Sequence, residues 1–231
     1  MLKKVLITGS TGAIGEACAR AFSEAGYFVY LHYRSNEAKA QTLCNELKNA
    51  EIIGFDITDK TAVNTALENL EVDVLVNNAG ITKDALFFFM QDDDWLSVID
   101  TSVNGTYYVT KALMRNMIKN KRGSVVNVAS VSGLVGNAGQ TNYSTAKGAM
   151  IAFTKSLSAE VARYGIRVNA VAPGLIASEM TADLDLKEMK KTIPLKRVGK
   201  PEEVAECVVF LADKASFVTG EVLNISGGMV R

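Results

Sequence analysis

The chain alternates short apolar runs with longer segments of helical pattern. Seven of the runs are rich in Val, Ile, Leu or aromatic residues and are predicted to be β-strands. They cover residues 4–8, 28–33, 51–55, 72–77, 124–129, 167–171 and 222–225. Because the runs are nearly continuous rather than alternating, both faces of the resulting sheet should be covered by helices.

Helix signals fill the intervals between the strands. One predicted helix, residues 13–25, is closed by Gly26, and another begins with Pro201 and extends to residue 213. Strands and helices in alternation predict a Rossmann-like, doubly wound α/β fold with a seven-stranded parallel sheet. No linker or repeat divides the 231 residues, so we expect a single domain over residues 1–231.

Composition narrows the class of function. Lys and Arg total 25, as do Asp and Glu, so no overall charge attracts nucleic acid or an anionic membrane. No apolar run approaches the roughly 20 residues of a membrane span, and no export signal is visible at the start. We therefore expect a soluble, cytoplasmic protein that binds neither nucleic acid nor membrane.

Cysteine and histidine usage argues against metal chemistry. Cys18, Cys44 and Cys207 lie far apart and match neither zinc spacing nor a disulfide framework. His32 is the only histidine, which excludes a His-based metal cluster and a Ser/His/Asp triad. No metal site is predicted.

The first strand leads into a glycine-rich segment, residues 8–15, that opens a helix. Glycines here let the backbone approach a pyrophosphate at the positive end of that helix. A tight turn without a ligand is the alternative interpretation, but the position after the first strand favours a dinucleotide site. The candidate contacts are Gly9, Ser10, Thr11, Gly12, Ile14 and Gly15.

The ends of the next strands extend this candidate site. The second strand ends without the carboxylate that holds an NAD ribose, and Arg34 could instead pair with a 2′-phosphate. A solvated loop arginine is the alternative, yet the missing carboxylate favours NADPH as cofactor. Asp56 could accept the adenine amino group or cap a helix. Further candidate contacts are Ile57, Asn78, Ala79 and Gly80.

A candidate catalytic group follows the fifth strand. Tyr143 and Lys147 stand four apart on a long predicted helix, so phenol and ammonium share one face and the charge can stabilise a tyrosinate. Such a pair is common on ordinary helices. Ser130, at the end of the fifth strand, could hold a substrate carbonyl beside the phenol, although serine at a strand end is usually a turn former.

Taken in order, these motifs resemble the short-chain dehydrogenase/reductase family over essentially the whole chain. Within it, residues 139–143, 194–205 and 218–221 are most similar to the 3-oxoacyl-[acyl-carrier-protein] reductases of fatty acid synthesis. The resemblance implies hydride transfer from NADPH to a 3-oxoacyl thioester, with Tyr143 as proton donor. Lys147 would also hold the nicotinamide ribose, and Ser130 would orient the carbonyl.

The same resemblance implies further contacts and an assembly. Pro173, Gly174, Ile176 and Ser178 match the loop that grips the nicotinamide carboxamide, although a Pro-Gly turn is the alternative. Relatives use the helices around residues 94–117 and after Tyr143 to form dimers and tetramers. The resemblance therefore implies a homotetramer.

The chain departs from the family pattern in several places. Ser102 follows Asp100 and Thr101 where relatives carry an Asn of a proton relay; we expect Ser102 to hold the relay water with a shorter side chain. Asn104, two residues further on, should face the opposite side of the helix. Gly12 stands where NADPH-using relatives often have Arg or Lys. The segments 59–70 and 179–192, the latter covering the substrate, are predicted to be shortened.

Carrier recognition and rival functions complete the predictions. An acidic carrier protein could dock on a basic patch expected near the site entrance, although solvated surface charge is an equal alternative. The patch comprises Lys119, Lys121, Arg122, Arg163 and Arg167. Reduction of a CoA thioester, sugar or other ketone is the enzymatic rival. A dinucleotide-binding sensor without catalysis is the non-enzymatic rival, favoured only by Ser102.

Overall fold

The computed structural model describes residues 2–178 and 190–230. Seven parallel strands form one sheet in the order β3-β2-β1-β4-β5-β6-β7. The strands are β1 (Lys4–Ile7), β2 (Phe28–Tyr33), β3 (Ala50–Gly54), β4 (Val74–Asn77), β5 (Gly123–Val128), β6 (Ile166–Pro173) and β7 (Val222–Ile225). The predicted doubly wound fold is confirmed, with β2 and β7 at the predicted bounds and the other strands displaced by one or two residues at one or both ends.

Helices cover both faces of this sheet. In the described residues they are α1 (Ala13–Glu24), α2 (Glu37–Glu46), α3 (Lys60–Leu67), α4 (Asp92–Ile99), α5 (Thr106–Asn120), α6 (Ser132–Val135), α7 (Thr141–Val161) and α8 (Pro201–Val209). One core, including Phe22, Leu43 and Val204, packs α1, α2 and α8 against the sheet. The other, including Leu67 and Leu113, packs α3, α5 and α7.

Two helices contain π-helical turns that the sequence pattern does not predict. The helix predicted over residues 201–213 is α-helical to Val209 and continues as a π-helix over Phe210–Lys214. A second π-helix, Asp100–Gly105, joins α4 to α5 and contains Ser102. Such turns are frequent at functional sites. None of the described helices combines the length and apolar character needed to cross a membrane.

The strand order determines where a ligand can bind. From β1 the chain moves outward through β2 to β3, and then returns to β4 on the other side of β1. The connections leaving β1 and β4 therefore run to opposite faces of the sheet, which opens a crevice at the carboxyl ends of these two strands. Residues 8–15, Arg34, Asp56, Asn78 and Ser130 follow the carboxyl ends of β1, β2, β3, β4 and β5.

Candidate active site

The glycine-rich segment, residues 8–15, is called the phosphate loop below; it lies in the crevice beside the end of β4. Gly9 has a φ of +63°, and a side-chain carbon there would lie 2.9 Å from Cα of Ala79. A side-chain carbon at Gly15 would lie 2.3 Å from the Gly9 carbonyl oxygen. Glycine is thus required at both positions, by conformation and close packing at the first and by packing at the second.

The start of α1 has the features of an anion site. Its N-cap is Gly12, and no side chain caps the helix. By contrast, α2 and α3 are capped by the side chains of Asn36 and Asp59. The first amides of a helix need external partners and carry its positive partial charge. Thr11, Gly12 and Ile14 are part-exposed or exposed, so a pyrophosphate can reach the amides that the protein leaves uncapped.

The end of β4 is tied to the phosphate loop through Thr8. Its hydroxyl oxygen accepts hydrogen bonds from the amides of Asn78 (2.9 Å) and Ala79 (3.1 Å). The Asn78 side-chain amide in turn donates to the carbonyls of Thr8 (3.0 Å) and Gly9 (2.9 Å). The side chain of Asn78 therefore supports the loop. Thr8 lies in the predicted glycine-rich segment but was not named as a contact, and its role is to join the loop to the end of β4.

The residues expected around the adenosine lie at the ends of β2 and β3. Arg34 is exposed just beyond β2. Asp56 accepts from the amide and the hydroxyl of Thr58, both at 2.8 Å. The interpretation of Asp56 as a helix cap is wrong, because Asp59 caps α3. Ile57 is 5% exposed and packs against Gly105, so its side chain belongs to the core rather than to a ligand surface.

Ser130, Tyr143 and Lys147 come together at the carboxyl end of β5. Ser130 is 8% exposed, and its oxygen accepts from the Ser132 amide at 3.1 Å. The Lys147 ammonium is buried, donates to the Val128 carbonyl at 2.8 Å and lies 5.6 Å from the centre of the Tyr143 ring. The chain thus brings a hydroxyl, a phenol and an ammonium into one group.

Hydrogen bonds orient the first turn of α7, which carries Tyr143. The side chain of Asn142 donates to the Lys83 carbonyl at 2.8 Å and accepts from the Tyr143 amide at 2.7 Å. Gln140 donates to Asp84 at 2.7 Å. These bonds hold the segment after β4 against the start of α7, and so they set the position of the phenol relative to the crevice.

Burial controls the protonation of the two catalytic candidates. Desolvation raises the pKa of Tyr143, and its hydrogen bond with Ser130 offsets this only in part. Desolvation lowers the pKa of Lys147 to about 8. At neutral pH the phenol is protonated, the state from which it can donate a proton.

Ser102 faces Lys147 across Gly80. A side-chain carbon at Gly80 would lie 3.4 Å from the Lys147 nitrogen and 3.7 Å from the Ser102 hydroxyl oxygen. Ser102 is fully buried, and within the described chain its hydroxyl has no hydrogen-bond partner. Asn104 instead donates to Asp100 at 2.6 Å. An unsatisfied hydroxyl beside a buried ammonium marks a place for a polar group such as water.

The segment after β6 contributes the last group of predicted contacts. The Pro173 carbonyl accepts from the Val131 amide at 3.0 Å, which joins this segment to the one that carries Ser130. Gly174 packs against Ser226, and Ile176 pairs with Gly199 in an isolated bridge. Ser178 is the last described residue before the gap. Most of the predicted lid, residues 179–189, lies outside the described residues.

Comparisons with known proteins show the family of the chain. The family model described as "Enoyl-(Acyl carrier protein) reductase" matches residues 9–230. A 3-oxoacyl-[acyl-carrier-protein] reductase of Synechocystis sp. is 41% identical, with 97% of this chain and 96% of the relative covered. The reductase FabG of Aquifex aeolicus is 44% identical, with 98% and 97% covered. The chain belongs to the short-chain dehydrogenase/reductase family.

A solved structure of a similar protein contains NADP. The structure titled "ElxO with NADP Bound" superposes with a TM-score of 0.93, is 33% identical and covers 99% of both chains. The protein is therefore an oxidoreductase with a Rossmann-like dinucleotide site. Within the described residues, no group of His, Cys, Asp and Glu side chains could hold a metal ion.

The basic patch expected near the site entrance lies elsewhere. Lys121 and Arg122 directly precede β5, and Arg167 is the second residue of β6, so all three lie at the amino ends of the strands. Arg122 pairs with Asp73 at 3.0 Å. Arg167 donates to backbone carbonyls of Leu211 and Ala212 at 2.6 Å. Because the strands are parallel, this edge is opposite to the crevice, and the prediction was wrong.

Proposed function

We propose that this protein reduces the 3-oxo group of an acyl thioester carried by acyl carrier protein, with NADPH as reductant. The observation that carries the proposal is the group formed by Ser130, Tyr143 and Lys147 beside the uncapped start of α1. The names of the Synechocystis and Aquifex relatives support the substrate class.

The residues of the crevice fit a dinucleotide in an extended pose. The amides at the start of α1 would hold the pyrophosphate, and Arg34 would pair with the 2′-phosphate. Asp56 has one carboxylate oxygen engaged by Thr58, which leaves the other for the adenine amino group. Backbone groups of Ala79, Gly80 and residues 173–178 would line the nicotinamide half, and Lys147 would bind its ribose.

The protein's own groups handle the proton. NADPH, when bound, supplies the hydride that the C3 carbon of the substrate receives. Tyr143 donates its phenolic proton to the carbonyl oxygen, and the product is the 3-hydroxyacyl thioester. Ser130 donates a hydrogen bond to the same oxygen and stabilises its developing negative charge. The pKa of Tyr143, raised by burial, keeps the proton available at neutral pH.

Ser102 and Lys147 return a proton to the tyrosinate. A water molecule between the Ser102 hydroxyl and the Lys147 ammonium would satisfy the buried hydroxyl and extend the path. Ser102→Ala should lower turnover and change its pH profile. Ser102→Asn should retain the turnover and the pH profile of the unmodified protein. Unchanged turnover and pH profile in Ser102→Ala would remove Ser102 from the mechanism.

The decisive experiment follows NADPH oxidation with acetoacetyl-acyl carrier protein. Tyr143→Phe should reduce turnover by roughly 100-fold or more, because a general acid contributes that much. Tyr164→Phe, at the opposite edge of the sheet, is the matched control and should retain activity. Full activity in Tyr143→Phe, or no NADPH oxidation by the unmodified protein, contradicts the proposal.

Parallel assays with acetoacetyl-CoA, a simple ketone and NADH define the specificity. We expect the acyl carrier protein thioester to have the highest kcat/KM and NADPH to be preferred to NADH. A preference for the CoA thioester or for a free ketone would retain the reductase chemistry and reject the carrier assignment. NADP binding without turnover of any carbonyl would favour the sensor interpretation.

We also propose a homotetramer in the cytoplasm. Several apolar side chains outside the site are exposed, including Leu96 (53%), Tyr107 (42%) and Phe217 (102%), and an assembly would cover them. Cys18, Cys44 and Cys207 are free thiols, which suits a reducing compartment. Sedimentation equilibrium measures the first property and cell fractionation the second; a monomer or an exported protein would contradict them.

A further inference from the structure

His32 joins three segments of the candidate dinucleotide site. It lies near the end of β2 and is 2% exposed. Its Nδ1 atom lies 3.0 Å from the amide nitrogen of Gly9 in the phosphate loop, and its Nε2 atom lies 3.0 Å from the carbonyl oxygen of Phe55 after β3. One imidazole therefore bridges the loop that approaches the pyrophosphate and the segment that approaches the adenine.

The partners determine the tautomer of the ring. A backbone amide can only donate and a carbonyl can only accept, so Nδ1 must be the acceptor and Nε2 must carry the proton. The neutral Nε2–H form satisfies both contacts, and a doubly protonated ring would set Nδ1–H against the Gly9 amide. The imidazole also packs on the Phe55 ring, with centroids 4.3 Å apart.

The backbone of His32 holds the same loop from the other side. Its carbonyl oxygen accepts from both the amide and the hydroxyl of Ser10, each at 3.0 Å. The amides of Gly9 and Ser10 are therefore both engaged by His32, and neither is available to a ligand. Gly9 and Ser10 were predicted as cofactor contacts; with their amides engaged, the amides at the start of α1 remain for the pyrophosphate.

We propose that His32 is a positioning residue for the dinucleotide: its neutral imidazole holds the phosphate loop and the end of β3 at the separation that the bound cofactor requires. The inference rests on the proposed function, because it presumes dinucleotide binding in this crevice. It assigns no chemical step to His32, which lies on the adenosine side of the site, away from Tyr143.

Few charges surround the ring. Residues 8–15 of the phosphate loop carry none. Asp56 faces the ring from the end of β3; Tyr33 follows His32 on β2, and Arg34 lies just beyond that strand. Burial lowers the pKa of His32 to about 4, while the Phe55 carbonyl and Asp56 act in the opposite direction. The neutral, bridging form therefore predominates at neutral pH.

Three substitutions separate the two contacts of the ring. His32→Asn keeps an acceptor near the Nδ1 position, His32→Gln keeps a donor near the Nε2 position, and His32→Leu removes both. Tyr30→Phe, on the same strand, is the matched control. The probe is NADP⁺, with its Kd measured by calorimetry at pH 7 and with folding checked by circular dichroism.

We expect His32→Leu to weaken NADP⁺ binding roughly tenfold, as the loss of a buried hydrogen bond implies. His32→Asn should recover most of the loss and Tyr30→Phe should bind as the unmodified protein does. In steady-state assays, the KM for NADPH should rise while kcat at saturating NADPH changes little. A general structural defect would instead lower both kcat and the folded fraction.

The outcomes distinguish this inference from the proposed function. If the unmodified protein binds no NADP⁺, the proposed function fails. If it binds NADP⁺ and folded His32→Leu binds equally well, the positioning role is wrong and the proposed function stands. If His32→Leu does not fold, the NADP⁺ affinities of His32→Asn and His32→Gln decide the question. If both variants bind NADP⁺ as tightly as the unmodified protein, the inference is overturned.

A spectroscopic measurement tests the tautomer directly. His32 is the only histidine, so ¹⁵N-histidine labelling of a tag-free protein gives one imidazole spin system. We expect protonated Nε2 and unprotonated Nδ1 at pH 7, with and without NADP⁺. The Nδ1–H tautomer, or a doubly protonated ring at pH 7, would overturn the proposed bridge.

Discussion

Replacing Gly15 by alanine should distort the phosphate loop and lower the free energy of unfolding of the protein. The added carbon would lie 2.3 Å from the Gly9 oxygen, 2.8 Å from the Asn78 side-chain nitrogen and 2.9 Å from Cα of Ser10. The first and third atoms belong to the backbone and cannot rotate away. Relief requires α1 to move from the loop, or the hydrogen bonds of Asn78 to Thr8 and Gly9 to lengthen.

The magnitude follows from opposing contributions. Overpacking of this kind costs about 1–3 kcal/mol, and weakening a buried hydrogen bond adds about 1 kcal/mol. Alanine in a helix recovers up to about 1 kcal/mol relative to glycine. We therefore expect Gly15→Ala to lower the free energy of unfolding by about 1–3 kcal/mol and to weaken NADP⁺ binding at least tenfold.

Gly12→Ala is the matched control in the same loop. Gly12 has a φ of −83°, and a side-chain carbon there would lie 3.6 Å from the Gly9 oxygen, which is an ordinary van der Waals distance. Because alanine is a poorer N-cap residue than glycine, we expect its free energy of unfolding to fall by at most about 1 kcal/mol, less than in Gly15→Ala. Urea unfolding and NADP⁺ calorimetry test both variants. Equal stability and equal affinity of the two variants would refute the packing argument.

Three other predictions concern charge and capping. The pKa of His32 is about 4 in the folded protein, whereas the ordinary pKa of histidine is 6.5, so its contribution to stability is complete above pH 6.5 and is lost as pH falls towards 4. Between pH 6.5 and pH 4, urea unfolding of the unmodified protein should show a loss of about 3 kcal/mol in the free energy of unfolding from this group. The same loss in His32→Asn would refute the assignment of this loss to His32. Arg34→Ala should raise the KM for NADPH roughly tenfold with little effect on NADH, whereas equal effects would exclude a 2′-phosphate contact. Asp59→Ala should lower the free energy of unfolding by about 1 kcal/mol through loss of the α3 cap, without changing NADP⁺ affinity; a lower affinity would show that the cap supports the site.

The fold was predictable because buried parallel strands have a simple signature. Strand β4 reads Val-Leu-Val and β6 contains Val168, Ala170 and Val171, all buried on a sheet covered on both faces. Once the strands are parallel, their carboxyl ends share an edge, and this places Asn78, Ser130 and the phosphate loop together. The positions of these residues thus follow from the sequence pattern.

The failed expectations concern orientation rather than position along the chain. Arg167 is not at the site entrance, because it is the second residue of β6 and so lies at the amino edge of a parallel sheet. The bridging role of His32 depends on distances between three strand ends, which no local pattern contains. The π-helix at Asp100–Gly105 depends on hydrogen bonds five residues apart and is likewise not visible in the apolar periodicity.

The backbone amides of the phosphate loop and of the start of α1 differ in whether the protein satisfies them, and this difference defines an anion site. The amides of Gly9 and Ser10 bond to His32, and the amide of Gly12 bonds to the Gly9 oxygen at 3.2 Å. In the described chain, no comparable protein bond satisfies the amides of Ala13 and Ile14, and α1 lacks a side-chain cap. A helix start without partners is costly when it is not solvated or bound. The amides of Gly9 and Ser10 thus shape the loop, and the amides of Ala13 and Ile14 remain for the ligand. Substitution of His32 or Gly15 should therefore weaken cofactor binding.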